Sequence, residues 1–285
     1  MHTTLISTDF LARHLDASSW LIADCRYSLK DETWGHAQYA RGHIPGAVFV
    51  SLAHDLAAEG NGINGRHPLP LPDVMAATFG RLGIGDQTQV IAYDQDAGAF
   101  ASRLWWMLRY MGHEAVAVLD GGFAKWTREG RITRTGVEKR PAAVFTPRVQ
   151  SRMRLTVDEV SEHLGDDTML LVDARSPERF AGQPDPLDNV FGHIPGARNR
   201  YYRDNISPEG TLRPPAELRQ AFARVLEDRP PEDVVTYCGS GVTACHNLLA
   251  MEHAGLRGGR LFAGSWSEWE ADPDRPVERS PSNPR

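Results

Sequence analysis

The sequence predicts an α/β protein of two similar domains in tandem, each a mainly parallel sheet with helices on both faces. Two observations support this prediction: a duplication within the chain, and short apolar segments that alternate with longer helical stretches. The chain has 285 residues, more than one typical domain, and its 41% hydrophobic and 24% charged residues are ordinary for a globular protein. Each domain therefore has enough apolar residues for a core of its own.

Four segments of the chain occur twice in the same order. The pentapeptide GHIPG is identical at residues 42–46 and 192–196. Three further pairs are similar: 20–26 with 169–175, 90–94 with 234–238, and 120–126 with 263–269. The offsets are 150, 149, 144 and 143 residues, whereas solenoid repeats span about 20 to 50 residues. The repeat is therefore a duplicated domain.

Within each half, apolar segments of strand length alternate with helical stretches. The segments LLVDAR (170–175) and VVTYC (234–238) are short and end at turn residues, which is typical of buried strands. Residues 242–254 and 102–111 place apolar side chains on one helical face. Strands that alternate with helices predict a parallel sheet covered on both faces.

The domain boundaries follow from the same patterns. We predict a first domain at 1–133, a linker at 134–154 that shows no clear period, and a second domain at 155–285. The end of the chain from Asp272 is rich in proline and charge, and we expect it to fray.

Charge and cysteine content argue against several classes of protein. The formal charge is −6 and no lysine- or arginine-rich stripe occurs, so we expect no nucleic-acid partner. No segment approaches the ~18 apolar residues of a membrane span. No signal peptide is visible at the start, which favours a cytoplasmic location. The three cysteines lack CxxC spacing, so we predict neither a disulfide framework nor a zinc site. No ligand cluster is visible, and we predict no metal or organic cofactor.

The strongest functional signal is the segment YCGSGVTA at 237–244. An apolar strand leads directly into Cys238, and ligands of open α/β sheets bind at the carboxyl ends of strands. Gly239 and Gly241 allow positive φ, so that successive N–H groups can converge on one point. The helix that follows adds its N-terminal partial positive charge. Both effects favour a thiolate at Cys238, which predicts a nucleophile.

Together these motifs resemble the tandem-domain rhodanese family. The resemblance is carried by the loop CGSGVTA, the paired GHIPG turns, GSWSEW at 264–269 and DGGFAKW at 120–126, and it covers nearly the whole chain. The family contains thiosulfate sulfurtransferases and 3-mercaptopyruvate sulfurtransferases, which implies two rhodanese-like domains here. The family's first domain is catalytically silent. Asp94 stands at the matching position and cannot carry a persulfide, so the second domain is implied to be catalytic.

The resemblance also implies a two-step sulfur transfer. Cys238 takes a sulfur atom from a small anionic donor as a persulfide, and the sulfur then passes to cyanide, a small thiol or reduced thioredoxin. Family members that use 3-mercaptopyruvate tend to read CGSGVT, whereas thiosulfate users tend to place basic residues directly after the cysteine. We therefore expect 3-mercaptopyruvate as the donor, with thiosulfate as the alternative.

Two positions near the GHIPG turn of the second half bear on the donor. Arg179 matches the family's substrate-binding arginine, whose guanidinium can hold a carboxylate or thiosulfate oxygens through two hydrogen bonds. Leu187 stands where mercaptopyruvate enzymes carry a second arginine. That departure leaves one expected carboxylate contact absent or supplied elsewhere, so thiosulfate stays open.

The remaining candidate residues lie in the loop and in the first half. Ser240 can donate a hydrogen bond to a leaving thiolate or enolate. His67 matches a first-domain histidine that the family brings towards the cysteine, where it can move a proton. Asp55 lies near the family's partnering aspartate, but we favour a structural role for it. The candidate catalytic residues are thus Cys238, Ser240 and His67, and the candidate substrate-binding residues are Arg179, Gly239, Gly241, Val242, Thr243 and Arg66.

Several conspicuous residues are better explained by structural roles. His43 and His193 precede Ile-Pro-Gly in both halves, so we expect them to stabilise turns. We also expect structural ion pairs at strand ends, Asp24 with Arg26 and Asp173 with Arg175. Cys25 and Cys245 are expected to be small core residues, and Trp266 and Trp269 to pack beside the site.

Two other functions are considered. A cysteine phosphatase of the same fold needs an arginine six residues after the cysteine to hold the phosphate, but Ala244 stands there. Phosphatase activity should therefore be absent. A non-catalytic module that binds or carries sulfur for a partner protein is the second alternative, since the first half shows that this fold can lose its nucleophile.

Overall fold

The computed structural model describes residues 1–95 and 97–280, which form two compact units. The first unit consists of residues 1–58, 70–150 and 206–212. The second unit consists of residues 59–69, 151–205 and the chain from Arg213 onwards. Each unit is thus built mainly from one half of the chain. The segment 59–69 belongs to the second unit, although in sequence it lies within the first half.

The first unit contains one five-stranded sheet. Its strands are β1 (Leu5–Ile6), β2 (Trp20–Asp24), β3 (Ala47–Phe49), β4 (Gln89–Tyr93) and β5 (Val116–Leu119). Its helices are α1 (Thr8–Ala12), α2 (Trp34–Arg41), α3 (Pro72–Arg81), α4 (Ala101–Tyr110) and α5 (Gly122–Arg128). The strand order is β1-β5-β4-β2-β3, and all paired strands run parallel.

The second unit repeats this plan. Its strands are β6 (Arg154–Leu155), β7 (Leu170–Asp173), β8 (Arg198–Asn199), β9 (Val234–Tyr237) and β10 (Arg260–Phe262). Its helices are α6 (Val157–Glu162), α7 (Pro177–Ala181), α8 (Pro215–Leu226), α9 (Ala244–His253) and α10 (Ser265–Trp269), with 3₁₀ turns at Ser151–Met153, Tyr202–Asn205 and Pro231–Asp233. The parallel order β6-β10-β9-β7-β8 confirms the predicted α/β fold and its duplication.

The middle strand of each sheet is buried along its whole length. Every residue of β4 and of β9 is buried, as expected for parallel strands with both faces covered. Trp266 and Trp269 lie fully buried in the core of the second unit, which confirms their predicted packing role. The loops that follow the middle strands therefore start from the buried centre of each sheet.

Buried ion pairs brace both sheets at the same place. Arg175 lies 2.7 Å from the carboxylate of Asp173 and donates a second hydrogen bond of 2.7 Å to the carbonyl of Gly192. Arg26 and Asp24 form the equivalent 2.6 Å pair in the first unit. Because each guanidinium also bonds the GHIPG segment, the predicted ion pairs tie that turn to a strand end.

The two GHIPG histidines have the predicted structural role. The Nδ1 atom of His43 lies 2.9 Å from the carbonyl oxygen of Tyr39, and that of His193 lies 2.7 Å from the carbonyl oxygen of Phe180. These are local bonds to the backbone of the preceding turn or helix. Both rings are buried, as expected for residues that stabilise turns.

Two details differ from the sequence-based expectations. The helix predicted over 242–254 begins at Ala244, because residues 239–243 form a loop. The expected fraying after Asp272 is wrong for the part of the chain up to Glu278. Trp269 Nε1 donates to the Pro276 carbonyl at 3.0 Å, and Glu278 and His193 exchange backbone hydrogen bonds of 2.9 Å. Residues 281–285, on which part of that prediction falls, lie outside the described residues.

Residues 134–150 run along the first unit. Backbone hydrogen bonds of 2.9 Å join Ala143 to Gly80 and Arg148 to Met111, and one of 2.7 Å joins Gln150 to Tyr110. The domain boundaries drawn from the sequence stay predictions. Within residues 1–95 and 97–280, no helix combines the length and apolar character that a membrane crossing requires.

Candidate functional site

Cys238 follows β9 directly and begins the loop that leads to α9. Because β9 lies between β10 and β7, this loop sits at the carboxyl edge of the middle of the sheet, where open α/β sheets bind ligands. Cys238 is only 2% exposed, and all three cysteines are free thiols. The nucleophile predicted from the sequence is thus a sheltered thiol at the expected edge.

The two glycines of the loop are required for different reasons. Gly241 has φ +73°, and a Cβ atom there would lie 2.0 Å from the carbonyl oxygen of Ala263, so only glycine fits. Gly239 does not adopt the positive φ that we expected. A Cβ atom at Gly239 would instead lie 2.7 Å from Arg66 Nη2 and 3.2 Å from Arg179 Nη2. Gly239 therefore makes room for two guanidinium groups.

The start of α10 holds the backbone of the cysteine loop. The N–H of Trp266 donates to the carbonyl of Cys238 at 3.0 Å, and the N–H of Ser267 donates to the carbonyl of Gly239 at 2.9 Å. The N–H of Cys238 donates to Ser265 Oγ at 3.1 Å. Two successive peptide groups of the loop are fixed in this way, which limits the directions that the Cys238 side chain can take.

Ser265 is a supporting residue that the sequence reasoning missed. It has φ +57°, a left-handed conformation that is strained for a residue other than glycine. Its hydroxyl also donates to the Phe262 carbonyl at 3.0 Å, so it links β10 to the nucleophile. The equivalent residue of the first unit is Gly122, with φ +56°. The repeat has DGG at 120–122 and AGS at 263–265, so the change from Gly122 to Ser265 was visible in the sequence.

The segment 59–69 brings His67 to the loop. His67 Nδ1 lies 2.8 Å from the Oγ of Ser240, which is itself only 7% exposed. The segment is held in place by its neighbours: the N–H of Arg66 donates to Ser267 Oγ at 3.0 Å, and Gly65 has φ +86° beside the carbonyl of Gly264. The imidazole of His67 thus contacts the hydroxyl of Ser240, which follows Cys238 by two residues in the sequence.

Two arginines from distant parts of the sequence flank the loop. The guanidinium groups of Arg66 and Arg179 both lie over Gly239, and Arg66 Nη1 donates to the carbonyl of Leu187. Partial loss of water lowers the pKa of Arg66, and the like charge of Arg179 acts in the same direction, whereas Asp188 opposes it. Leu187 therefore takes part in this region through its backbone oxygen.

Arg179 forms hydrogen bonds with Asp188, a carboxylate that the sequence analysis did not identify. Asp188 accepts a 2.9 Å hydrogen bond from Arg179 Nε and a second one from Nη2, and it lies 3.3 Å from Arg175 Nη1. Its position directly after Leu187 was visible in the sequence, but nothing there indicated that its side chain turns towards the arginines.

The other predicted residues occupy supporting positions. Val242 is 4% exposed, and Thr243 precedes the first residue of α9. Cys245 is buried and its thiol donates to the carbonyl of Gly241 at 3.3 Å, which confirms a core position beneath the loop. In the first unit, Asp55 accepts the N–H of Ser51 at 2.8 Å and pairs with Arg81.

No cluster of three histidine, cysteine or acidic side chains able to hold a metal ion occurs within residues 1–95 and 97–280.

A model of the rhodanese-like domain matches residues 7–129 and 156–272, which together span most of both units. The chain belongs to the rhodanese family.

Several rhodanese relatives cover nearly the whole chain. A Pseudomonas aeruginosa protein, provisionally named as a 3-mercaptopyruvate sulfurtransferase, is 42% identical over 96% of this chain and 97% of its own. A Mycobacterium tuberculosis protein, provisionally named as a thiosulfate sulfurtransferase, is 39% identical over 90% of each chain. The structure of 3-mercaptopyruvate sulfurtransferase from Leishmania major is 32% identical, with a TM-score of 0.84 over 94% of this chain and 74% of that one. These names confirm the predicted class of enzyme.

The first rhodanese domain shows what the equivalent loop can hold. Asp94 stands at the position of Cys238, and its carboxylate accepts backbone N–H bonds from Gly98 at 3.0 Å, Phe100 at 2.7 Å and Ala101 at 3.1 Å. A single negative charge is therefore surrounded by loop amides at this point of the fold. Such a nest of N–H groups suits an anion.

Replacing Asp94 with alanine should destabilise the first rhodanese domain without changing sulfur transfer. Two buried N–H groups and one half-buried N–H group would lose their acceptor, which we expect to lower the free energy of unfolding by about 3 kcal/mol. Urea unfolding of the wild type and of Asp94→Ala measures this difference. Asp94→Asn keeps one acceptor oxygen and should fall between them; equal stability of all three proteins would contradict the nest.

Proposed function

We propose that this rhodanese is a 3-mercaptopyruvate sulfurtransferase that carries sulfur as a persulfide on Cys238. The observation that supports it most is the combination at one loop of a sheltered thiol, the His67–Ser240 pair and two guanidinium groups. Relatives with this activity in their names cover the chain almost end to end. A small anionic donor and a thiol or cyanide acceptor are what the family requires.

The first half-reaction moves one sulfur atom from carbon to Cys238. The Cys238 thiolate attacks the sulfur of 3-mercaptopyruvate, a sulfur–sulfur bond forms, and the carbon–sulfur bond breaks. The electron pair of that bond leaves with the organic fragment as the enolate of pyruvate. The proton of the donor thiol is then delivered to the enolate carbon, which gives pyruvate and a persulfide anion.

Ser240 and His67 are the groups that we propose to move this proton. The Ser240 hydroxyl can donate to the leaving enolate, and the imidazole 2.8 Å away can restore its proton. Histidine suits this role because its unperturbed pKa lies near neutrality. Asp55 is held by Ser51 and Arg81 within the first unit, and we assign it a structural role.

The donor is held by charge and by the loop backbone. Arg66 and Arg179 would bind its carboxylate, since guanidinium groups pair with carboxylates through charge-assisted hydrogen bonds. The loop residues Gly239, Gly241, Val242 and Thr243 would contribute N–H groups to the sulfur that becomes negative. Arg66 would thus supply the contact that Leu187 lacks.

The second half-reaction returns the enzyme to its thiolate form. The acceptor, cyanide or a thiolate of a small thiol or of reduced thioredoxin, attacks the outer sulfur, and Cys238 thiolate is the leaving group. The products are thiocyanate or an acceptor persulfide. Neither half-reaction transfers electrons to a cofactor, so we propose that the enzyme uses no cofactor. We also propose a cytoplasmic location, where reduced thiols are available as acceptors.

Thiosulfate is the second candidate donor. It is favoured by the name of the Mycobacterium tuberculosis relative and by Leu187 at the place of the second arginine of mercaptopyruvate enzymes. With thiosulfate the leaving group is sulfite, which needs no protonation at carbon. The same Cys238 persulfide would form.

Comparison of the two donors tests the proposed function. We expect kcat/KM for 3-mercaptopyruvate to exceed kcat/KM for thiosulfate by at least about tenfold, a difference of ~1.4 kcal/mol. Pyruvate release and thiocyanate formation measure the two reactions with cyanide as acceptor. An equal or greater kcat/KM with thiosulfate would reject 3-mercaptopyruvate as the preferred donor. A persulfide on Cys238 without turnover of either donor would indicate a sulfur carrier instead.

A further inference from the structure

Asp188 is the buried carboxylate nearest to the arginines of the site. Its side chain is 2% exposed, and it binds Arg179 through both the Nε and Nη2 groups. An arginine has five N–H donors, so this pairing leaves donors on Nη1 and one on Nη2. Those outer nitrogens are the atoms that lie over Gly239, at 3.8 and 3.2 Å from the position of a Cβ atom.

The charges around the loop nearly balance. Arg175 is neutralised by Asp173 at 2.7 Å, and Arg179 is neutralised by Asp188. Glu270 acts electrostatically on both Arg66 and Asp188, and Asp185 lies 3.7 Å from Arg179. The positive charge of the two guanidinium groups that flank Gly239 is therefore largely offset by carboxylates, and Asp188 is the buried one that binds Arg179 directly.

We propose that Asp188 makes the site selective for donors with a single negative charge. This inference rests on the proposed function and specifies its substrate class. A monocarboxylate donor is matched by Arg66 and the outer nitrogens of Arg179. A dianion such as thiosulfate brings a second negative charge into a partly buried region that already contains Asp188, and it competes with that carboxylate for Arg179.

Asp188→Asn tests the inference because it removes the charge and keeps the shape. We expect the ratio of kcat/KM for thiosulfate to kcat/KM for 3-mercaptopyruvate to rise by about tenfold. The matched control is Asp185→Asn, since Asp185 lies 3.7 Å from the same Arg179 but is 27% exposed. Water screens this partly exposed carboxylate more than it screens Asp188, so the control ratio should change by less than about twofold.

The ratio separates selectivity from a merely structural role. If Asp188 only positions Arg179, Asp188→Asn lowers both efficiencies by the same factor, and the unchanged ratio overturns the inference. The proposed function would survive that result, because it is tested separately by the wild-type preference for 3-mercaptopyruvate over thiosulfate and by the persulfide on Cys238.

Wild-type inhibition gives a second test that needs no variant. Pyruvate, a monoanion, should inhibit at a lower concentration than sulfate, a dianion, when ionic strength is kept constant. Tighter inhibition by sulfate would overturn the inference even if Asp188→Asn failed to fold.

Discussion

Cys238→Ser is expected to abolish sulfur transfer from both donors, with a loss of at least about 10³-fold in kcat. Serine keeps the size of the side chain, but its hydroxyl is far less ionised and cannot form the sulfur–sulfur bond on which both half-reactions depend. Steady-state pyruvate release from 3-mercaptopyruvate and thiocyanate formation from thiosulfate measure the effect. Activity that survives the substitution would contradict the mechanism.

Cys25→Ser is the matched control for that substitution. Cys25 is a buried thiol of the first unit, and burial raises its pKa well above the usual range, with the nearby carboxylates of Asp24, Asp94 and Asp55 adding to the effect. It therefore stays protonated at neutral pH and makes a poor nucleophile. The control should keep wild-type kcat for both donors.

His67→Gln is expected to lower kcat for 3-mercaptopyruvate by about 10²-fold, the usual contribution of a positioned acid–base group. Glutamine can still bond to Ser240 but cannot take up and release a proton. Because sulfite leaves thiosulfate without protonation at carbon, the loss with thiosulfate should be much smaller. The pH dependence of kcat with 3-mercaptopyruvate should also flatten near neutrality.

Ser240→Ala completes the test of this pair. Since the two side chains lie 2.8 Å apart and are proposed to act together, the double variant should be little worse than either single one. Equal losses with both donors in His67→Gln would contradict the proton role and would indicate that His67 only supports the loop.

The fold could be predicted from the sequence because the duplication showed which strands correspond. Once VIAYD at 90–94 is matched with VVTYC at 234–238, one parallel sheet implies the other. The edge that carries Cys238 follows from the same alternation of strands and helices. Neither inference needs contacts between residues that are distant in sequence.

The surroundings of the cysteine could be predicted only in part. His67 and Arg66 reach the loop because residues 59–69 pack in the second unit, a tertiary arrangement that local patterns do not encode. Asp188 looks like an exposed loop residue until its pairing with Arg179 is known. The positive φ expected at Gly239 is wrong, and its missing side chain instead makes room for guanidinium groups.

Mass spectrometry of the protein after reaction with 3-mercaptopyruvate, without an acceptor, tests the central claim most directly. We predict that the peptide containing Cys238 gains the mass of one sulfur atom and loses it again when cyanide is added. Peptides that contain Cys25 or Cys245 should stay unchanged, and Cys238→Ser should show no gain. Pyruvate formation with an unmodified Cys238 peptide would contradict the persulfide mechanism.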